Sequence, residues 1–181
     1  CIRDFTKVIQ LVPEFAGGYN DRGMARRKEG DFRRAVRDFT KAIALNPEYA
    51  AAYYNRGNAR SGKGDLEGAI EDYTKAIELD PEHVFAYINR GIAQRKLKNY
   101  RGAVGDYTKA IELDPKYFAT YKNRGNARFK MNDYRGAIKD FTKAIELDPK
   151  GDSACNAYWG RALAHEKLGE SAKAAADYRE A

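Results

Sequence analysis

The octapeptide TKAIELDP occurs three times in this chain, at residues 74–81, 108–115 and 142–149. Each copy begins 34 residues after the previous one, and the prolines of the chain keep the same spacing. These prolines are Pro13, Pro47, Pro81, Pro115 and Pro149. Such a period predicts an array of small supersecondary units, because one unit cannot bury its apolar face alone and must stack on its neighbours.

Three more types of residue recur with this period. A glycine follows each of the first four prolines by ten residues: Gly23, Gly57, Gly91 and Gly125. An alanine column comprises Ala35, Ala69, Ala103 and Ala137, and an aromatic column comprises Phe39, Tyr73, Tyr107 and Phe141. We expect the glycines to let the first helix of each unit approach the second across the alanine column, since neither side chain holds the backbones apart.

One unit, residues 50–83, predicts two helices. Tyr53, Gly57 and Arg60 have helical spacing in its first half, and Ala69, Ile70, Tyr73, Ala76 and Ile77 form an apolar stripe in its second. Between the halves, Gly62 and Gly64 predict a left-handed stop, and Asp65 is suited to cap the second helix. Pro81 ends that helix. The unit is therefore predicted to be a pair of antiparallel helices.

These residues resemble the tetratricopeptide repeat (TPR) family. The marks are the aromatic and glycine of the first helix, the small and aromatic residues of the second, and the closing proline: Tyr53, Gly57, Ala69, Tyr73, Ala76 and Pro81. The resemblance covers essentially the whole chain. It implies an all-α, right-handed α-solenoid of stacked antiparallel helix pairs, the TPR superhelix, with the first helices lining a concave groove that binds peptides.

We expect residues 1–181 to form a single TPR array. Residues 1–15 would end a preceding repeat, and the last, incomplete repeat, 152–181, has three extra residues before Tyr158. Four full repeats lie between them, at 16–49, 50–83, 84–117 and 118–151. Because both ends fall within a helix, we expect a piece of a longer array, with exposed apolar ends that favour end-to-end self-association.

The chain departs from the family at the residue before the glycine, where the family usually has a large apolar side chain. Arginine stands there, and aspartate recurs in the second helix; the pairs are Arg22 and Asp38, Arg56 and Asp72, Arg90 and Asp106, Arg124 and Asp140, and Arg161 and Asp177. Structural ion pairs are the expected role, and a charge row for a ligand is the alternative. A second column, Arg26, Arg60 and Arg128 with Gln94 and His165, has no evident partner.

Composition limits the remaining functions. The sequence has no apolar run long enough to span a membrane and no secretory leader, which favours a cytoplasmic protein. Two cysteines, Cys1 and Cys155, and two histidines, His83 and His165, offer no metal spacing, and no phosphate loop or nucleophile–base signature appears. We therefore expect no cofactor and no catalysis. The net charge of +7 mildly favours acidic partners.

The resemblance instead implies a scaffold or adaptor that binds a protein or peptide partner. The groove would be lined by Asn20, Met24, Arg27, Tyr54, Asn58, Phe85, Ile88, Ile92, Arg95, Lys122, Asn126, Phe129, Lys130, Trp159 and Leu163. Aromatic and basic side chains among them suit an acidic peptide with apolar anchors.

Three alternatives remain open. The carboxylate clamp by which some TPR proteins hold chaperone C-termini is matched only in part, by Lys122 and Asn126 or by Asn58 and Asn89. Nucleic-acid binding would fit aromatic residues among lysines and arginines, and it predicts a steep loss of affinity with salt. A self-assembling helical repeat is the third alternative.

Overall fold

A computed structural model describes residues 2–149 and 152–181, without the side chains of residues 152 and 153. Expectations for Cys1, Lys150 and Gly151 therefore lie outside the described residues. The helices of the described chain are α1 (Ile2–Leu11), α2 (Ala16–Lys28), α3 (Phe32–Leu45), α4 (Ala50–Lys63), α5 (Leu66–Leu79), α6 (Val84–Lys96), α7 (Tyr100–Leu113), α8 (Phe118–Lys130), α9 (Tyr134–Leu147), α10 (Asp152–Lys167) and α11 (Ser171–Glu180). None of these helices is long and apolar enough to cross a membrane.

The helices group into two compact units, Cys1–Ala93 and Gln94–Ala181. In the first unit, α1 packs on α2, α2 on α3, α3 on α4 and α4 on α5. In the second unit, α7 packs on α8, α8 on α9, α9 on α10 and α10 on α11. Short connections join consecutive helices, so the packed pairs run antiparallel. The even-numbered helices from α2 to α10 are called first helices below, and the odd-numbered ones second helices.

Side-chain caps explain where four of the second helices begin. The Asp65 carboxylate accepts a hydrogen bond from the backbone N–H of Gly68, three residues into α5, as the sequence predicted. The same bond is made by Asp31 for α3, Asn99 for α7 and Asp133 for α9. A cap of this kind satisfies a helix N–H that has no partner within the helix, and it stabilises the start by about 1 kcal/mol.

The stop between α4 and α5 is made by Gly64 alone. Gly64 has a φ of +91°, in the left-handed region where glycine has no steric penalty, and its N–H caps the end of α4. The expectation that Gly62 shares this role is wrong, because α4 continues through it to Lys63. Gly62 serves packing instead: a Cβ there would lie 2.6 Å from the Phe32 ring, so this glycine leaves room for the aromatic side chain.

The recurring small and aromatic residues form the core. The alanines Ala35, Ala69, Ala103 and Ala137 have no exposed surface, and the aromatic residues Phe39, Tyr73, Tyr107 and Phe141 are at most 2% exposed. The nearest neighbours of the glycines are the rings of the aromatic column, which the sequence did not predict. A Cβ on Gly57 would stand 2.7 Å from the Tyr73 ring, and one on Gly125 would stand 2.9 Å from the Phe141 ring. Each of these glycines therefore makes room for the aromatic side chain of its own repeat.

Candidate peptide-binding faces

A buried aspartate in each of four repeats is held by two basic side chains from the first helix. Arg56 Nη2 lies 2.7 Å from Asp72 Oδ1, and Arg60 Nη1 lies 3.1 Å from Asp72 Oδ2. The corresponding pairs on Asp38, Asp140 and Asp177 are Arg22 with Arg26, Arg124 with Arg128, and Arg161 with His165. The ion pairs predicted for these repeats are confirmed, and the second basic column has found its partner in the same carboxylate.

The last repeat has the weakest of these arrangements. His165 Nε2 stands 3.9 Å from Asp177 Oδ2, while its Nδ1 contacts Glu170 at 2.5 Å. The hydrogen bond with His165 holds the pKa of the Glu170 carboxyl below its ordinary value, and Lys173 adds to the effect. The histidine thus divides its contacts between two carboxylates, whereas Arg128 Nη1 approaches Asp140 to 2.9 Å.

The threonine that opens the octapeptide links neighbouring repeats. Arg124 Nη1 donates to Thr108 Oγ1 on the preceding second helix at 3.0 Å, and Arg90 Nη1 donates to Thr74 in the same way at 3.0 Å. Matching bonds join Arg22 to Thr6, Arg56 to Thr40 and Arg161 to Thr142. Sequence reasoning missed this partner, although the strict period of the threonine was the signal that could have revealed it.

A tyrosine one turn before each arginine completes the network. The guanidinium carbon lies over the tyrosine ring at 5.3 to 5.8 Å from its centre in the pairs Arg22 with Tyr19, Arg56 with Tyr53, Arg90 with Tyr87, Arg124 with Tyr121 and Arg161 with Tyr158. Cation–π contact of this kind is worth about 0.5–2 kcal/mol. The arginines are engaged by threonine or aspartate within the protein as well, so this charge row is structural.

In the first unit, the predicted groove residues Tyr54 and Asn58 belong to one hydrogen-bond network. Asn58 Oδ1 accepts from the Tyr73 hydroxyl at 2.9 Å and from Asn89 Nδ2 at 2.9 Å. Asn89 Nδ2 also donates to the Tyr54 hydroxyl at 3.1 Å, and the centre of the His83 ring lies 4.6 Å from that of Tyr54. The two asparagines that matched a carboxylate clamp are therefore bonded to each other.

Two residues predicted to line the groove are buried. Ile88 is 4% exposed, and Asn20 is 4% exposed with its Oδ1 accepting from Asn55 Nδ2 at 3.0 Å. The expectation that the Ile88 side chain faces solvent is wrong, because neighbouring side chains cover almost all of its surface. Sequence spacing alone could not separate it from exposed positions, since the columns on this face vary from repeat to repeat.

Other predicted groove residues of the first unit are accessible. Met24 is 37% exposed and Phe85 is 51% exposed, while Arg27 and Ile92 are partly exposed. Met24 and Arg27 line a 350 Å³ cavity together with Phe5, Asp21, Ala25 and Lys28. The cavity thus combines apolar and basic side chains.

In the second unit, Trp159 is the most exposed of the predicted aromatic residues, at 55%. Its ring meets that of Tyr178 edge-on, with 4.9 Å between the ring centres. Phe129 similarly meets Tyr134 at 5.3 Å. Asn126 and Lys130 are exposed, and Lys122 and Leu163 are partly exposed, all on α8 and α10. Aromatic surface and lysines thus occur together on the first helices of this unit.

The third repeat differs at its buried tyrosine. The Tyr107 hydroxyl is buried and makes no hydrogen bond of acceptable geometry with any described residue, and the same holds for Arg95 Nε. Burial raises the pKa of Tyr107 to about 12, and the adjacent Arg95 opposes this rise. The predicted groove residue Arg95 therefore stands beside a buried hydroxyl that lacks a partner.

The structure has two further cavities. One, of 440 Å³, is bordered by Phe15, Ala16, Gly17, Asp21, Asn46 and Tyr49. The other, of 250 Å³, is bordered by Arg135, Ile138, Lys139, His165, Leu168, Glu170 and Lys173. Among the residues that the structure describes, no group of histidine, cysteine or acidic side chains could hold a metal ion.

The chain belongs to the tetratricopeptide repeat family, whose models match residues 20–83, 84–117 and 118–150. Repeats of this family generally mediate protein–protein interactions. No curated protein matches the chain significantly in sequence.

Solved structures place the fold among the TPR α-solenoids, as the sequence predicted. A MamA protein superposes with a TM-score of 0.87 at 26% identity over 93% of this chain and 91% of that one. YrrB, a TPR protein with an unusual peptide-binding site, superposes with a TM-score of 0.87 at 22% identity, over 99% of this chain and 91% of that one. MamA from Desulfovibrio magneticus RS-1, from residue 41 to its end, superposes with a TM-score of 0.85 at 20% identity, over 91% of this chain and 92% of that one.

Proposed function

We propose that this protein is a non-catalytic scaffold whose first helices bind a peptide segment bearing acidic and apolar residues. The observation that carries the proposal is the combination of exposed aromatic and basic side chains on these helices. Phe85 and Trp159 are more than half exposed, and Lys130 is exposed as well. Aromatic side chains offer large contact areas at little entropic cost, and lysines attract carboxylates.

The ion pairs between first and second helices support the proposal. Asp72 and Asp140 are each fixed by two arginines, so the backbones of α4 and α8 are anchored to α5 and α9. A rigid frame lowers the entropy lost when a ligand binds, because the surface is already ordered. Side chains that vary over such a frame are suited to selecting one partner, and the TPR neighbour YrrB has a peptide-binding site of its own.

The test is selection from a phage-displayed library of random dodecapeptides, followed by titration of the selected peptides. Trp159 is the one tryptophan in the sequence and is exposed, so its fluorescence reports binding at the second unit. We expect Phe85→Ala or Phe129→Ala to weaken binding by tenfold or more, as truncation of an anchor does. Lys75→Ala, on the exposed face of a second helix, is the matched control.

Failure to select any peptide, or equal binding by the variants and the control, contradicts the proposed function. Nucleic-acid binding remains the second candidate, and the cavity bordered by Arg135, Lys139 and Lys173 favours it. Nucleic-acid binding would be supported if the logarithm of the affinity for a random single-stranded oligonucleotide fell linearly with the logarithm of the salt concentration. A peptide held mainly by apolar anchors would be much less sensitive to salt.

A further inference from the structure

The 440 Å³ cavity of the first repeat, called the Asp21 cavity below, contains one acidic side chain. It is lined by Phe15 before α2, by Ala16, Gly17 and Asp21 of α2, and by Asn46 and Tyr49 after α3. Phe15 is 50% exposed, and Asp21 and Tyr49 are partly exposed, so a ligand can reach these side chains from solvent. The volume lies within the range of about 300–1,000 Å³ that is usual for ligand pockets.

The acidic residue of this cavity stands where the next three repeats have asparagine. The residues at intervals of 34 after Asp21 are Asn55, Asn89 and Asn123. Two of these amides bond to the preceding repeat: Asn55 Nδ2 donates to Asn20 Oδ1 at 3.0 Å, and Asn89 Nδ2 donates to the Tyr54 hydroxyl at 3.1 Å. An ionised carboxylate has no hydrogen to donate, so Asp21 cannot make this bond. The first repeat therefore has a negative charge in place of a structural amide.

No basic side chain of the described residues forms an ion pair with Asp21. Its hydrogen-bond donor is the neighbouring Asn20, whose Nδ2 lies 3.3 Å from Asp21 Oδ1, which is long for such a bond. Asp38 of the same repeat is instead held by both Arg22 and Arg26. The carboxylate of Asp21 thus has no structural role of the kind that occupies Asp38, and its charge is available to a cation that enters the cavity.

Two aromatic side chains line the Asp21 cavity together with the carboxylate. Burial raises the pKa of Tyr49, and the negative charge of Asp21 raises it further, because the two side chains are close to each other. The Phe15 ring lies against Gly17, where a Cβ would stand 2.7 Å from it. Aromatic rings attract cations over their faces, and a carboxylate attracts them through its charge. This combination suits the side chain of a lysine or an arginine.

We propose that the Asp21 cavity binds a lysine or arginine side chain of the partner peptide, with Asp21 as its counterion and Phe15 and Tyr49 as its aromatic walls. The inference rests on the proposed function, and it adds a basic residue to the acidic and apolar residues of the ligand. Asp21 also borders the 350 Å³ cavity that Arg27 and Lys28 line, so the ligand should carry its basic residue close to an acidic one.

The experiment combines peptide and protein variants. Peptides selected from the random dodecapeptide library are resynthesised with each lysine changed to norleucine and each arginine to citrulline, which removes the charge and keeps most of the shape. Charged and neutral forms are titrated against wild type, Asp21→Asn and Phe15→Leu. The asparagine copies Asn55, Asn89 and Asn123, so the fold accommodates it. Circular dichroism and thermal melting confirm that the variants are folded.

The matched control is Glu29→Gln. Glu29 is exposed at the end of α2 and lines neither cavity, and its replacement changes the net charge of the protein by the same amount as Asp21→Asn. It therefore separates a contact with Asp21 from a general attraction between the protein and a basic peptide.

We expect one neutralised basic residue to weaken binding to wild type by about tenfold, as loss of a charge-assisted hydrogen bond does. Asp21→Asn should weaken the charged peptide by a similar factor and should bind the neutral form about as well as wild type does. Coupling of this kind is the mark of a direct contact. Phe15→Leu should weaken the charged peptide by about threefold, because only the attraction of the ring is lost. Glu29→Gln should leave the preference for the charged peptide intact.

The outcomes separate this inference from the proposed function. Selection of peptides in which no basic residue matters, or a basic preference that Asp21→Asn leaves unchanged, overturns the inference and leaves the scaffold function standing. Equal losses for charged and neutral peptides on Asp21→Asn also overturn it, because they indicate altered packing. An equal loss of preference in Glu29→Gln overturns it as well, since it shows attraction at long range. Failure to obtain any binding peptide contradicts both.

Discussion

Arg56 and Asp72 form a two-pronged ion pair, in which Arg56 Nη2 lies 2.7 Å from Asp72 Oδ1 and Arg56 Nε lies 3.0 Å from Asp72 Oδ2. Arg60 Nη1 approaches the same carboxylate at 3.1 Å, and the side chain of Asp72 is only 3% exposed. The carboxylate thus compensates two cations at once, and its removal takes the closest anionic partner from both.

Asp72→Ala should therefore lower the free energy of unfolding by about 3–5 kcal/mol, the loss expected when a buried ion pair is broken on one side. Replacing the aspartate together with Arg56 alone should recover only part of this loss, because Arg60 still loses its closest carboxylate and keeps only the Gly68 carbonyl and the longer pairs with Asp65 and Glu71. The triple variant Arg56→Leu, Arg60→Leu, Asp72→Ala should recover more. Urea unfolding followed by circular dichroism measures all three, and strictly additive losses would show that the residues are not coupled.

Thr108 should contribute to the cohesion of neighbouring repeats. Its Oγ1 accepts from Arg124 Nη1 at 3.0 Å and donates to the carbonyl of Val104 at 2.8 Å. Thr108→Val keeps the shape and removes both bonds, so we expect about 1 kcal/mol of lost stability in urea unfolding. Lys109→Ala, at the exposed neighbouring position, is the control and should change stability by less. A valine variant as stable as wild type would mean that the bond to Arg124 contributes nothing.

The features of this fold that were predicted correctly depend on contacts between residues close together in the sequence. Asp65 caps α5 as expected, since a capping carboxylate acts within three residues of itself. Sequence reasoning missed contacts whose partner comes from another helix: the glycines lie against aromatic rings, and Arg60 reaches Asp72 on the following helix. Such contacts depend on how two helices are rotated against each other, and a period in the sequence does not give that rotation.

The candidate site was harder to predict for the same reason. Ile88 and Trp159 occupy corresponding positions of two first helices, yet Ile88 is 4% exposed and Trp159 is 55% exposed. What covers a residue on this face depends on the side chains of adjacent helices, which differ between repeats. The repeat boundaries and the full set of groove residues accordingly stay predictions.

The contrast between these two residues gives a direct test. Ile88→Ala should lower the free energy of unfolding by about 2–5 kcal/mol, because it leaves a cavity in the core. Trp159→Ala should cost less than about 1 kcal/mol, since more than half of the side chain is in solvent. Thermal and urea unfolding of both variants check this. A larger loss for Trp159→Ala than for Ile88→Ala would reverse the assignment of buried and exposed positions.

Thr120→Ala should stabilise the protein. Thr120 has no exposed surface, and its hydroxyl has no hydrogen-bond partner among the described residues. Alanine occupies the corresponding position in other repeats, at Ala52, Ala86 and Ala157, so the smaller side chain fits. Removing an unpaired buried hydroxyl should gain about 1 kcal/mol. Thr142→Ala is the opposite control and should lower the stability, because the Thr142 hydroxyl accepts a hydrogen bond from Arg161 at 3.0 Å. Destabilisation by both variants would contradict the prediction.

Stability at alkaline pH should depend on Tyr107. Burial raises the pKa of Tyr107 from its ordinary value of 10.0 to about 12, so the folded protein favours the neutral phenol more than the unfolded chain does. A group whose pKa is raised by folding contributes its full stabilisation below the unfolded pKa and loses it as pH rises toward the folded value. The free energy of unfolding should therefore fall between pH 10 and about 12. At one pH unit above the unfolded pKa, the contribution of Tyr107 to this fall should be about 1.4 kcal/mol.

Tyr107→Phe removes that contribution, and it breaks no hydrogen bond to a described residue. We expect the variant to match or exceed wild type at neutral pH and to lose stability less steeply between pH 10 and 12. Burial also raises the pKa of Tyr73, so Tyr73→Phe should flatten the alkaline limb as well. At neutral pH, however, it should cost about 1 kcal/mol, because the bond from Tyr73 to Asn58 is lost. Urea unfolding at a series of pH values, with tyrosinate absorbance recorded in parallel, measures these differences. If the alkaline limb of Tyr107→Phe superimposes on that of wild type, the Tyr107 hydroxyl is not in the buried environment that the structure gives it.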